Sequence, residues 1–341
     1  MTACGKIRQP SDAIIAITHR CNAKCVMCNI WQSKARDAIT PACLDKLPAS
    51  LRTVNITGGE PFLRDDLAGF VRQVRQRCPR AQITISTNGY LVDRTVEMMD
   101  EIRKIDPTVR LAVSIDGLRE THDEIRGEAG FFDHATELLR RLADAGFEGL
   151  RLSMTVSARN VSQLPEIANL AESLGLELGI VAAHGAETHL GVSAGIAGEM
   201  PQNTTEIFGQ VIEKLLRSWT PKLWLRAHFT ARTREYLLGR PKRFRCSAGR
   251  GFFFIQADGE VYNCSVLGTI MGNIIADDWQ KIWTGQAGRD ARSRARACTQ
   301  SCWMICTVRD LYRRDAIGVA GWILWHKLLA HLQPGKAMLK I

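Results

Sequence analysis

The chain has 341 residues, 45% hydrophobic and 23% charged. This composition excludes a disordered or fibrous protein, and the length allows one large core plus a smaller module. Eleven cysteines occur without a charged-then-apolar leader, so they read as metal ligands or catalytic thiols of a cytoplasmic protein, not as a disulfide framework. The net charge of +10 is uneven: residues 221–341 carry 20 Lys and Arg against 8 Asp and Glu, and residues 1–220 carry 25 against 27.

Short β-branched runs alternate with amphipathic stretches over the first 200 residues. Strands are predicted at 13–18, 53–57, 82–86, 111–115, 150–155 and 176–182. Their near-continuous apolar character suits a parallel sheet covered on both faces. Helices are predicted at 66–77, 95–105, 132–145 and 164–174, from apolar residues recurring at helical spacing. Six βα units imply an α/β fold, a partial (β/α)6 TIM-type barrel, with chemistry on the loops after the strands. Residues 185–220 are Gly-rich and then helical. The segment Gly251–Cys264 reads as a β-hairpin turning at Ala257, Asp258 and Gly259. The expected division is a barrel over 1–225, a small module over 226–310 and an apolar, basic C-terminal helix in 311–341. Cys4, Cys43 and Cys78 read as buried or inert thiols.

The sharpest motif follows the first strand. Cys21, Cys25 and Cys28 stand in the spacing Cys-x3-Cys-x2-Cys. A [4Fe–4S] cube usually takes four cysteines, one per iron. Three in one loop hold three corners and leave one iron open to chelate a small amino acid. The alternative is structural zinc, with His19 as a fourth ligand.

This loop resembles the cluster motif of the radical S-adenosylmethionine (radical SAM) superfamily. That family usually has an aromatic residue before the last cysteine; Met27 stands there, and its thioether can pack on adenine. Further motifs follow in order on successive loops. Thr57-Gly58-Gly59-Glu60-Pro61 resembles the family's Gly-Gly-Glu-Pro, which implies a site for the cofactor's methionine ammonium. Ser86-Thr87-Asn88-Gly89 and Ser114-Ile115-Asp116-Gly117 resemble the loops near the methionine carboxylate and ribose. His122, Asp123, Arg126 and Gly127 match a further element whose Arg is a candidate cofactor contact, and Thr155 with Ser157 and Asn160 fits again. The resemblance implies a catalytic [4Fe–4S] cluster at Cys21, Cys25 and Cys28, with S-adenosyl-L-methionine bound beside it. It implies reductive cleavage to a 5′-deoxyadenosyl radical that abstracts hydrogen from a substrate, and an electron donor such as flavodoxin or ferredoxin.

A second cysteine group is Cys246, Cys264, Cys298, Cys302 and Cys306. Cys246, twelve residues, Gly259, four residues and Cys264 resemble the opening of the auxiliary-cluster modules called SPASM and twitch. No cysteine follows Cys306, so the pattern resembles the shortened, one-cluster form. Five cysteines compete for at most four places of an auxiliary [4Fe–4S] cluster. One cysteine is then spare or one iron is left open: Cys246, Cys264, Cys302 and Cys306 are the expected ligands, with Cys298 the doubtful fifth and a conceivable hydrogen donor; zinc is the alternative.

Arg226, Arg232, Arg234, Arg240, Lys242, Arg243, Arg245 and Arg250 read as nearly unopposed, which favours an anionic partner or else a solvated face. The stretch 316–332 (AIGVAGWILWHKLLAHL) reads either as an interfacial helix on the inner face of an anionic membrane or as a helix packed on the barrel. Three functions stay open. One is a radical enzyme acting on a small anionic molecule (a sugar, nucleotide or lipid-linked intermediate), for oxidation, epimerisation or C–C bond formation. Only about twelve residues precede the first strand, so an N-terminal peptide-binding domain is not expected. The second is a maturase modifying a precursor peptide. The third is a metal-binding interaction protein without catalysis. A nucleic-acid partner is not expected.

Overall fold

The computed structural model describes residues 7–240, 245–300 and 302–333. Cys4, Lys242 and Arg243 lie outside the described residues. Six parallel strands form first: β1 (Asp12–Ala16), β2 (Thr53–Thr57), β3 (Gln82–Thr87), β4 (Arg110–Ser114), β5 (Leu150–Val156) and β6 (Glu177–Ala182). Helices cover the crossovers: α1 (Leu67–Arg77), α2 (Val92–Ile105), α3 (Arg119–Arg126), α4 (Phe131–Asp144) and α5 (Leu164–Ser173). In α4, Phe131, Ala135, Leu138, Leu139 and Leu142 are buried, a helical stripe turned toward the sheet. In β5 buried and half-buried residues alternate, so Leu150, Leu152, Met154 and Val156 enter the core.

Beyond β6 come α6 (Glu187–Leu190), α7 (Thr204–Arg217) and α8 (Pro221–Leu237). Three more strands follow: β7 (Phe252–Ile255), β8 (Glu260–Tyr262) and β9 (Ile270–Asn273). The last helices are α9 (Trp279–Thr284), α10 (Gln286–Ala297), α11 (Ile305–Arg314) and α12 (Ala316–Leu332).

All nine strands make one sheet in the order β6-β5-β4-β3-β2-β1-β7-β8-β9. The sheet is open, so the partial barrel is a curved α/β layer and not a closed ring. The predicted hairpin exists, β7 against β8. The sheet does not break at residue 225, because β7 lies parallel to β1 with Asp12 opposite Phe252. Polar staples fasten this joint. Lys46 Nζ donates to the carbonyls of Ile274 (2.9 Å), Ile275 (2.8 Å) and Asp277 (3.1 Å). Arg309 pairs with buried Asp12 at 2.9 Å, and Trp283 Nε1 donates to the Arg8 carbonyl.

One charge expectation is corrected. Arg226 is not unopposed: it pairs with Glu177 at 2.5 Å, and Arg234 and Arg240 both pair with Glu235. Glu177 comes from β6, far from these bases in the chain. Cys78 is buried in the core and Cys43 is half-buried. No helix among the described residues is long and apolar enough to cross a membrane.

Candidate active site

The C-terminal ends of the six parallel strands meet around a cavity of about 250 Å³. The loop after β1 brings Cys21, Cys25, Met27 and Cys28 to its wall. This loop has no regular structure of its own and is held from across the site. Lys24 N–H donates to the Arg126 carbonyl and Val26 N–H to the Ile125 carbonyl, both at 2.9 Å. Burial pushes the Cys21 thiol up to about 12 and the Cys28 thiol up to about 11. Thiols so desolvated favour a neutralising partner over free thiolate.

Opposite the thiols lie Gly58 and Gly59. Gly58 has φ +135°, and a Cβ there would come 2.4 Å from the Thr18 carbonyl oxygen. A Cβ on Gly59 would come 2.0 Å from the carbonyl oxygen of Arg20. The two loops therefore touch backbone to backbone, and only glycine allows it. Ser86, Asn88, Ser114, Thr155 and Arg126 complete the polar wall.

Three sequence-predicted residues stand behind this wall and not on it. Glu60 is buried, and its carboxylate accepts from Asn88 N–H (2.8 Å), Thr87 Oγ1 (2.9 Å) and Phe62 N–H (3.1 Å). Burial pushes its pKa up to about 7 against those hydrogen bonds. Pro61 is buried in the turn that follows. Asp116 is fully buried, meets Arg126 Nη2 at 2.5 Å and accepts from Thr155 N–H at 2.7 Å. Its own N–H donates to His122 Nδ1 at 2.8 Å. Burial, then the charge of Arg126, lowers His122 to about 2, so His122 is a neutral acceptor that braces the β4 loop.

The donor set fits a cluster with a polar organic cofactor. Arg126 Nη1 lies 3.7 Å from Cys25 Sγ, and Arg126 Nε and Asn22 Nδ2 are buried donors without an acceptor.

His184 belongs to none of these motifs. It lies two residues beyond β6 and lines both this cavity and a neighbouring one of about 280 Å³. Its Nδ1 faces the Ala182 carbonyl at 3.1 Å. A carbonyl only accepts, so Nδ1 carries the hydrogen and Nε2 is left as the acceptor. Burial lowers its pKa, which keeps the ring neutral. Its position at a strand's C-terminal end was the one available signal.

The second cysteine group gathers beside β7. Cys246, Cys264, Cys298 and Cys302 line an apolar pocket with Ala248, Phe252, Val266, Leu267 and Met304. Cys306 is buried in the same cluster of side chains. Burial raises Cys264 and Cys306. The neighbouring cavity shares His184 with the first cavity, and Val266, Leu267, Gln300 and Cys302 with the thiol pocket.

An open α/β half-barrel with three thiols at its strand ends and a second thiol group behind defines a class: iron–sulfur enzymes of radical chemistry. The chain belongs to the radical SAM superfamily, whose pattern matches residues 15–171, and the SPASM iron–sulfur cluster-binding domain matches residues 246–307. It is 30% identical over 279 residues to the mycofactocin maturase MftC of Mycobacterium tuberculosis, covering 78% of this chain and 68% of that one. It is 26% identical over 292 residues to the AdoMet-dependent heme synthase of Methanosarcina barkeri, covering 78% and 80%. Among solved structures it resembles Streptococcus suis SuiB bound to S-adenosylmethionine, with TM-score 0.58 and 16% identity over 81% of this chain and 65% of that one. SuiB has also been solved with its precursor peptide SuiA. The chain is thus an enzyme whose cofactors are a [4Fe–4S] cluster, S-adenosylmethionine and auxiliary iron–sulfur.

Proposed function

We propose that this enzyme abstracts hydrogen from a small, enclosed, anionic substrate such as a sugar, nucleotide or lipid-linked intermediate. The bound cluster and S-adenosylmethionine supply an electron, C5′–S cleavage and a 5′-deoxyadenosyl radical. Cys21, Cys25 and Cys28 hold the cluster by three corners. The backbone of Gly58 and Gly59 meets the methionine end of the cofactor, with Ser86, Asn88, Ser114 and Thr155 along its polar atoms and Met27 against adenine. Arg126 sets charge beside the thiols. Glu60, Pro61 and Asp116 act as positioning residues, since both carboxylates already spend their oxygens on protein donors. Cys246, Cys264, Cys302 and Cys306 hold the auxiliary cluster, with Cys298 beside Cys246, Cys264 and Cys302 in the same pocket. A flavodoxin or ferredoxin supplies the electron in the cytoplasm.

The observation that carries the small-molecule reading is the second cavity. It lies between the two thiol groups, encloses about 280 Å³ and is lined by His184, Glu187, Tyr236 and Gln300 and, among the described residues, by no Lys or Arg, so it supports a small, enclosed substrate and not its negative charge. That volume is close to the lower end of the range for small-molecule sites, and His184 Nε2 is left as an acceptor beside it. The likeness to MftC and to SuiB, crystallised with a precursor peptide, favours peptide maturation as the second reading.

The test is 5′-deoxyadenosine release from the reduced holoenzyme. It would be screened against deuterated sugar phosphates and nucleotides and, separately, against short precursor-like peptides. Deuterium carried from a small anionic compound into 5′-deoxyadenosine is the expected result. Stimulation by peptides alone would overturn the reading in favour of maturation.

A further inference from the structure

The helix α12 is apolar on both its packed and its outward face. Val319, Ile323, His326 and Ala330 are buried, where the helix packs on α7 and α8. On the other side Ile317, Leu324, Trp325, Leu328 and Leu332 are exposed, Ile317 at 90%. At 100° per residue these five fall within an arc of about 100°. The turn between α7 and α8 extends the stripe with Trp219, exposed at 86%. Lys327 joins the two: its Nζ donates to the carbonyls of Leu216 (2.7 Å) and Ser218 (2.9 Å) and lies over the rings of Trp219 and Trp224.

Leaving so many large apolar groups in water is costly, and a contiguous patch of this kind marks an interaction surface. We propose that this face docks on an anionic lipid bilayer surface. Three observations choose that occupant. The face is the outer side of a helix stacked on two others, α7 and α8, a ridge to which a bilayer conforms. Its aromatic members, Trp219 and Trp325, with Lys327 at the edge, are the side chains that settle at the boundary between headgroups and acyl chains. Its frame has a positive excess: residues 213–235 and 315–333 hold seven Lys and Arg against Glu213, Glu235 and Asp315, although Arg234 is buried and five of the seven pair with acids. The acids that pair with them, Glu172, Glu177, Glu213 and Glu235, are fewer. A second copy of the chain would bring two such frames together and be repelled.

The docking surface stands apart from the catalytic cavity and does not depend on the substrate reading. The test is flotation of the reconstituted full chain with vesicles of phosphatidylcholine, alone or with about one quarter phosphatidylglycerol. The wild-type chain is expected to float with the anionic vesicles and to bind neutral ones at least roughly tenfold more weakly. A Trp219→Ser/Leu324→Gln/Trp325→Gln/Leu328→Gln variant, checked for an unchanged melting transition and unchanged 5′-deoxyadenosine release, is expected to lose at least roughly tenfold in partitioning. A wild-type chain that stays off anionic vesicles, or that binds both vesicle types equally, would overturn the proposal. So would a wild-type dimer by sedimentation that the variant dissolves.

Discussion

A Cys25→Ala enzyme is expected to release 5′-deoxyadenosine only at background, a fall of roughly a thousandfold or more. Cys25 is the middle thiol of the loop after β1 and the most enclosed of the three. It is buried, with Arg126 Nη1 at 3.7 Å from its sulfur, and its carbonyl accepts from Cys28 N–H at 3.1 Å. Removing this thiol takes one of three corners from the cluster and exposes Arg126 to an empty site. No neighbouring thiol can replace it, because Cys21 and Cys28 are already committed on the same wall. Cys43→Ala is the matched control. Cys43 lies outside both cysteine groups, beside Thr40, so that variant should keep wild-type release. Anaerobic turnover with dithionite, quantified by chromatography, reads both. A Cys25→Ala enzyme that still releases 5′-deoxyadenosine at a tenth of the wild-type rate or more would contradict the assignment.

The second large effect is on stability. Asp116→Ala is expected to cost about 3–5 kcal/mol. Asp116 and Arg126 form a buried pair at 2.5 Å, so truncating the acid leaves the guanidinium buried and charged without its partner. The variant also orphans Thr155 N–H, which donates to the same carboxylate, and an unsatisfied buried donor adds to the loss. Removing the pair together, as Asp116→Leu with Arg126→Met, should cost less than the single change, because no uncompensated charge remains. Denaturant titration of the apoprotein compares the three chains. A cost below about 1 kcal/mol for Asp116→Ala, or a double variant no better than the single one, would mean that the pair does not carry the β4 and α3 loops.

Much of this site was legible before the structure. The six parallel strands lie within two residues of the runs that marked them, because near-continuous apolar segments of five to seven residues have few other uses in a chain rich in βα alternation. The three thiols of the first loop do line one cavity, as their spacing implied. What stayed hidden involves distant partners. Nothing local announces that β7 lies against β1, some 240 residues earlier in the chain. The short strand β9, which contains Gly272 at φ +153° and pairs across a register shift, carries no alternation to read. Glu60 and Asp116 were singled out as cofactor contacts. Their hydrogen bonds to other strand loops put both behind the wall, a matter of which neighbours arrive and not of motif. His184 belongs to no motif at all; only its place after β6 distinguishes it. The same holds for charge, since Glu177 on β6 reaches both Lys222 and Arg226 on α8.

The most direct test is iron and acid-labile sulfide per chain after anaerobic reconstitution, for wild type and for Cys21→Ala/Cys25→Ala/Cys28→Ala. Two four-iron clusters predict about eight irons in the wild type and about four in the variant, the remainder held by the Cys246–Cys306 group. Four irons falling to none would remove the auxiliary cluster. Zinc in place of iron at both thiol groups, or an iron count that the triple substitution leaves unchanged, would contradict the catalytic site built on Cys21, Cys25 and Cys28.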